Sequence, residues 1–218
     1  MDSSTLELHP LHRGAEADLF LSELPPWKAV VKRRVRKAYR HEELDAKIRK
    51  ERTVKESSAI HEAKIAGART PSILGLDLER SSIIMTFIDG KVARDAIDTM
   101  VDSRRLHLLE EIGRQVGLLH SAGIVHGDLT TSNIILPEDE RPFIIDFGMA
   151  SRSSEPEDRG TDLHLIQRSL IATHALDPTS SFRRVAKGYR ESAGDKIAES
   201  SLRKAAEIAR RGRYFAIR

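Results

Sequence analysis

The chain has 218 residues, 39% of them hydrophobic and 32% charged, with a formal net charge of +3. That length can bury a sizeable core in one or two domains, and the composition is that of a soluble globular protein. It contains no cysteine, which excludes disulfides and thiolate zinc sites and agrees with a reducing compartment; no apolar run is long enough to span a bilayer, and Met1-Asp-Ser-Ser4 does not read as a signal peptide. These features predict a cytoplasmic protein. Its nine histidines lack metal-ligand spacing. Basic residues gather at 28–40 and at Arg210, Arg211, Arg213 and Arg218, where they suit either a solvated face or phosphate.

In chain order, Leu6 to Leu24 reads as two strands joined through His12-Arg-Gly-Ala-Glu-Ala17, and Trp27 to Lys32 as a third strand with Lys32 at its end. Residues 41–67 have no proline and predict a long helix whose inner stripe is Leu44, Ile48, Ala59, Ala63 and Ala66. Glu56 lies at the edge of that stripe, where a carboxylate needs a partner. Lys32 is the expected one, with Glu62 the other candidate carboxylate. Two further strands, 73–78 and 82–88, turn at Glu79-Arg-Ser81, and Asp89-Gly90 marks the expected domain boundary. The reading is therefore an α+β fold of two lobes. Residues 1–89 hold a five-stranded antiparallel sheet plus the long helix, and residues 90–218 form a reduced, mainly helical lobe. In the second part Asp102 to Ala122 predicts a helix with Leu106, Leu109, Ile112, Val116 and Leu119 inward. Short strands are expected at 134–136 and 143–145, a polar linker over 151–160, and helices over 161–173, 180–192 and 195–212.

The chemistry concentrates in His126-Gly-Asp-Leu-Thr-Thr-Ser-Asn133 and Asp146-Phe-Gly148. A Lys on a third strand, a Glu on the next helix, His-x-Asp-x-x-x-x-Asn and Asp-Phe-Gly follow one another in the order by which kinases assemble ATP and metal ions. In this reading Lys32, held by Glu56, neutralises the α- and β-phosphates. Asn133 and Asp146 supply hard oxygens to Mg²⁺, Asp128 orients or deprotonates the attacking hydroxyl, and His126 packs within the loop. Met85 lines the adenine pocket, with the Thr86 carbonyl and the Ile88 N–H facing the base. The turn Gly14-Ala15-Glu16 sits near the phosphates, so its carboxylate requires a compensating cation. Gly127 stands where regulated kinases carry an arginine, and no Ala-Pro-Glu follows Gly148. Both features leave a phosphorylated activation loop without its usual parts.

Together with Val31-Lys-Arg-Arg-Val-Arg-Lys-Ala-Tyr-Arg40, Leu44-Asp45 and Arg210-Arg-Gly-Arg213, these motifs resemble, over nearly the whole chain, the small atypical kinase of the KEOPS complex, the Bud thirty-two family. The resemblance implies a cytoplasmic, ATP-binding Ser/Thr kinase and ATPase that phosphorylates its own serines. It also implies work with a sugar-kinase-fold catalytic subunit and other KEOPS subunits in making threonylcarbamoyladenosine in tRNA. The tail residues Arg210, Arg211 and Arg213 offer a contact to tRNA, although Arg213-Tyr-Phe-Ala-Ile-Arg218 is less basic than the family's tail. The competing readings are an independent Ser/Thr kinase of peptide substrates and a binding module with a vestigial nucleotide site.

Overall fold

A computed structural model describes residues 6–173 and 178–215. The chain divides into two compact units, residues 1–62 with 71–88 and residues 63–70 with 89–218. The fold is α+β, with the antiparallel sheet in the first unit and most of the helices in the second.

The sheet of the first unit comprises β1 (His9–Arg13), β2 (Ala17–Leu24), β3 (Trp27–Arg34), β4 (Ile73–Asp77) and β5 (Ser82–Thr86) in the order β1-β2-β3-β5-β4. Alternation along β3 and β5 sends Ala29, Val31 and Ile84 into a small core completed by Phe20, Leu24 and Leu74. The long helix α1 covers Glu42–Ile65 and opens on Glu42, Glu43 and Asp45, charges that suit a helix N-terminus.

Its buried face differs from the expected stripe. Ala63 is buried as expected, but Leu44 is 52% exposed, and Asp45, Thr53, Glu56, Ser57 and Ile60 are buried. A wheel ranked by hydrophobicity misses this face because most of its residues are polar groups with partners. Asp45 binds Arg49 at 2.7 Å and accepts the Lys37 N–H at 3.2 Å, and Thr53 Oγ1 donates to the Arg49 carbonyl at 2.8 Å. Arg49, ahead of burial, holds the Asp45 carboxyl below the usual carboxylate range.

Segment 63–70 groups with the second unit because Arg69 is tied there three ways. Its N–H donates to Gln115 at 2.7 Å, its guanidinium binds Glu111 at 2.8 Å, and its carbonyl accepts the Ile144 N–H at 2.9 Å. The second unit continues with β6 (Lys91–Val92), α2 (Ala93–Ala96), α3 (Asp102–Ser121), β7 (Ile124–Val125), β8 (Ile134–Leu136), β9 (Phe143–Ile144), β10 (Ser151–Arg152), α4 (Pro156–Thr173), α5 (Pro178–Ala193) and α6 (Asp195–Phe215). The inner stripe of α3 is broader than its apolar spacing, since Leu108, Gly113, Gln115 and Gly117 are buried too. The glycines let α5 approach: a Cβ on Gly113 would stand 2.0 Å from the Val185 carbonyl oxygen, and one on Gly188 1.8 Å from that of Glu110.

The expected polar linker 151–160 is mostly structured. Ser151 and Arg152 pair with Val125 and Ile124, and α4 already begins at Pro156. Proline at a first helical position, followed by Glu157 and Asp158, is a helix start. Ser153 reinforces it, accepting the Glu155 N–H at 3.0 Å and donating to Asp158 at 2.6 Å. No helix among the described residues is long and apolar enough to cross a membrane.

Candidate functional site

In the first unit Lys32, at the register position opposite Leu19 on β2 and Ile83 on β5, sends its ammonium to Glu56 Oε1 at 2.6 Å. The carboxylate expected to meet Lys32 is thus the one found there. A second cation, Arg34, was not expected: its guanidinium binds the other oxygen of Glu56 at 2.5 Å. The turn 14–16 closes with the Gly14 N–H on the Ala17 carbonyl at 3.1 Å. Its carboxylate has the compensation it requires, with Arg52 at 2.7 Å and Lys37 at 3.3 Å from Glu16. Partial burial opposes ionisation of Glu16, yet Lys37 and Arg52 together hold its carboxyl below the ordinary value. Lys37 also donates to the Ala15 carbonyl at 2.6 Å, which pins the turn by its main chain. Met85 is buried on β5, opposite Val30 and Ile73. Thr86 exchanges two bonds with Ser72, both 2.9 Å, and the Phe87 N–H donates to the Lys28 carbonyl at 2.9 Å. Ile88 follows the end of β5 and is partly buried.

In the second unit His126 is fully buried, its ring 4.9 Å from that of Phe147. Its partners fix its tautomer. Nε2 faces the Ile145 carbonyl at 3.0 Å and must donate, while Nδ1 faces the Asp128 N–H at 3.3 Å and must accept. Asn133 is oriented in the same way. Its Nδ2 donates to the Asp128 carbonyl at 2.8 Å and to the Asp128 carboxylate at 3.0 Å, so Oδ1 is the amide atom left to bind a cation. The Ile145 N–H donates to the Asn133 carbonyl at 3.0 Å, extending the β8–β9 ladder by one rung, so Asp146 follows the rung that Asn133 makes. Asp146 has φ +62°, a strained backbone for a residue with a side chain, and its carboxylate accepts the Gly148 N–H at 3.2 Å.

The loop hangs on an aspartate that the sequence did not reveal. Asp162, buried on α4, accepts the His126 N–H at 2.6 Å and the Gly127 N–H at 2.8 Å. Behind it His120 Nε2 lies 3.2 Å away, and the Tyr189 hydroxyl lies 2.9 Å from His120 Nδ1. Tyr189 is hydrogen-bonded in turn to Ser201, which accepts from Arg159 Nε at 3.2 Å. Burial pushes the Tyr189 phenol up to about 12. The contacts thus form one chain, from Arg159 through Ser201, Tyr189 and His120 to Asp162. Gly127 itself has φ +80°, and a Cβ there would stand 2.6 Å from the Met149 carbonyl oxygen. The absence of an arginine at this position is thus enforced by backbone geometry.

Among the described residues no group of three or more His, Asp or Glu could cage a metal. Asn133 and Asp146 instead offer one amide and one carboxylate oxygen donor. That set fits Mg²⁺, which keeps water and completes its shell with phosphate oxygens. In the basic tail Arg211 is engaged with Glu157 at 3.0 Å and Arg210 is exposed. The side chain of Arg213, and Arg218 altogether, lie outside the described residues, as does Met1-Asp-Ser-Ser4.

Residues 23–161 match the sequence profile of the RIO domain. Over 210 residues, 94% of this chain and 95% of the relative, there is 40% identity to the KEOPS complex subunit Bud32 of Pyrococcus abyssi. A probable bifunctional tRNA threonylcarbamoyladenosine biosynthesis protein of Methanosarcina mazei is 42% identical over 205 residues, 94% of this chain and 35% of that protein. Its namesake in Methanothermobacter thermautotrophicus is 39% identical over 213 residues, 96% of this chain and 38% of that protein. The chain thus spans little more than a third of these bifunctional relatives.

Proposed function

Because the chain belongs to the RIO-domain family and to the family of KEOPS complex subunit Bud32, we propose that it is an ATP-dependent phosphotransferase and ATPase. In this reading it serves threonylcarbamoyladenosine modification of tRNA inside a KEOPS complex. The observation that carries the chemistry is the Asn133 side chain, which binds the Asp128 carboxylate at 3.0 Å and keeps its carbonyl oxygen for a cation.

Each residue then has a role that its surroundings support. Lys32, held by Glu56, neutralises the α- and β-phosphates of ATP. Met85, the Thr86 carbonyl and the Ile88 N–H receive the adenine, and the turn Gly14-Ala15-Glu16 covers the phosphates. Asn133 and Asp146 hold Mg²⁺, which when bound offsets negative charge on the phosphates. Asp128 orients the attacking oxygen, a serine hydroxyl of this chain in autophosphorylation or water in hydrolysis, and accepts its proton. Residues 1–62 and 71–88 make the ATP-binding lobe and residues 63–70 and 89–218 the catalytic lobe, a division close to the expected one at Asp89 except for segment 63–70. The partner is a sugar-kinase-fold subunit, the setting is the cytoplasm, and Arg210, Arg211 and Arg213 face tRNA.

The test is ATP hydrolysis by purified protein, alone and with the sugar-kinase-fold partner and tRNA. The partner and tRNA should raise the rate. Asp128→Ala or Asp146→Ala should lower turnover by about 10²- to 10⁴-fold. Full activity in both variants would falsify the mechanism.

A further inference from the structure

Lys32 and Arg34 stand two residues apart on β3, so they project from the same face of the strand. Each binds one oxygen of Glu56. Arg34 reaches further: its Nη2 also donates to the Arg52 carbonyl at 3.3 Å, one turn earlier on α1. Its own main chain is fixed by the bond from its N–H to the Ser81 carbonyl at 3.1 Å and by register with Ala17 on β2. Relative exposures of 9% for Lys32, 7% for Arg34 and 2% for Glu56 place the group out of water, where charge-assisted bonds are strong.

A lysine–glutamate pair is a switch in regulated kinases because the glutamate travels with its helix, and the pair must be assembled for activity. Here the helix has a second tie. The guanidinium is planar, permanently charged and bound to two residues of α1 a turn apart. We propose that Arg34 is a positioning residue that fastens Glu56 and α1 to β3, so that Lys32 meets a carboxylate that cannot swing away. The tie is made by Arg34 itself, to Glu56 and to the Arg52 carbonyl. The proposal rests on the reading of Lys32 as the phosphate-binding cation, and it adds that this half of the site is built without a movable helix.

The experiment compares wild type, Arg34→Met and Arg34→Lys by two readouts. The first is the ¹⁵N-lysine NMR signal of the Lys32 ammonium in nucleotide-free protein, assigned with Lys32→Met. It should be protected from solvent exchange in wild type and lost in Arg34→Met. The second is steady-state ATP hydrolysis, where Arg34→Met should raise KM for MgATP about tenfold and change kcat less. Arg34→Lys keeps the buried charge on a shorter side chain, whose Nζ falls short of the point from which Nη2 holds both Glu56 and the Arg52 carbonyl, so its KM should be intermediate. A folded Arg34→Met with a wild-type Lys32 signal and KM overturns the proposal. If Arg34→Met does not fold, a wild-type KM in Arg34→Lys overturns it instead. A wild-type chain that neither binds nor hydrolyses MgATP would overturn the proposed function, while the Lys32 signal would still report on Arg34.

Discussion

The two units hold their functional side chains by different physics. In the first, Lys32 and Arg34 are fixed by opposite charge on one buried carboxylate. In the second, Asp128 is placed by backbone: its own N–H rests on a histidine whose tautomer is fixed, and the two preceding residues hang by their N–H groups from Asp162. Charge pairs fix position strongly but leave buried cations exposed to the loss of one partner. Hydrogen bonds to main chain carry less energy each, but they determine direction. Charge on one carboxylate thus holds the cations of the first unit, and directional bonds to main chain hold the loop of the second.

The sharpest way to break this contrast is Glu56→Gln. It strands two buried cations on a neutral amide and should cost about 3–5 kcal/mol of unfolding free energy, read by urea denaturation. Asp162→Asn removes one of the two acceptor oxygens that serve His126, Gly127 and His120. It should cost about 2 kcal/mol by the same measurement, and turnover should fall more than the affinity for MgATP. A cost as large as that of Glu56→Gln would erase the distinction between the units.

The smallest neutral-pH effect belongs to Tyr189→Phe, about 1 kcal/mol for the lost bond to His120. Its signature is alkaline. A phenol that ionises near 10 in the unfolded chain and at about 12 in the fold leaves the folded state the more protonated one between those values. The stability it contributes is complete below pH 10 and drains away as pH rises toward 12, by on the order of 2 kcal/mol. Wild type should show this loss in denaturation curves taken across pH 9–12. Tyr189→Phe should be flatter there, and identical slopes would mean that the phenol is not buried in solution.

What was legible in the sequence is what depends on local chemistry. The loop 126–133 and the turn 146–148 announce themselves because their residue types and spacings are set by one short run of backbone. The strands showed in their alternation, and the Lys32–Glu56 contact followed from the need of a carboxylate on a helix edge for a partner. The buried face of α1 was illegible because charge pairing replaces oil there: Asp45 and Glu56 are inside while Leu44 is out. Arg34 read as one more member of a basic run for the same reason. Asp162 gave no signal, since its partners lie thirty-five and thirty-six residues away and nothing within α4 marks it. The start of α4 carried a signal that composition hid. Ser, Pro, Glu and Asp suggest a linker in bulk, but in this order they form a cap and a first turn.

That early start has a consequence in reach. Between Gly148 and Pro156 lie only residues 149–155, which fully extended could span roughly 25 Å. Ser151 and Arg152 are already spent on pairing with β7, and Ser153 on capping α4. Too little slack remains for a segment that could travel to a distant cation when modified and return when released. On the proposed function, residues 149–155 do not serve Asp128 as an activation loop of that kind, and control by a partner molecule is the expectation that follows.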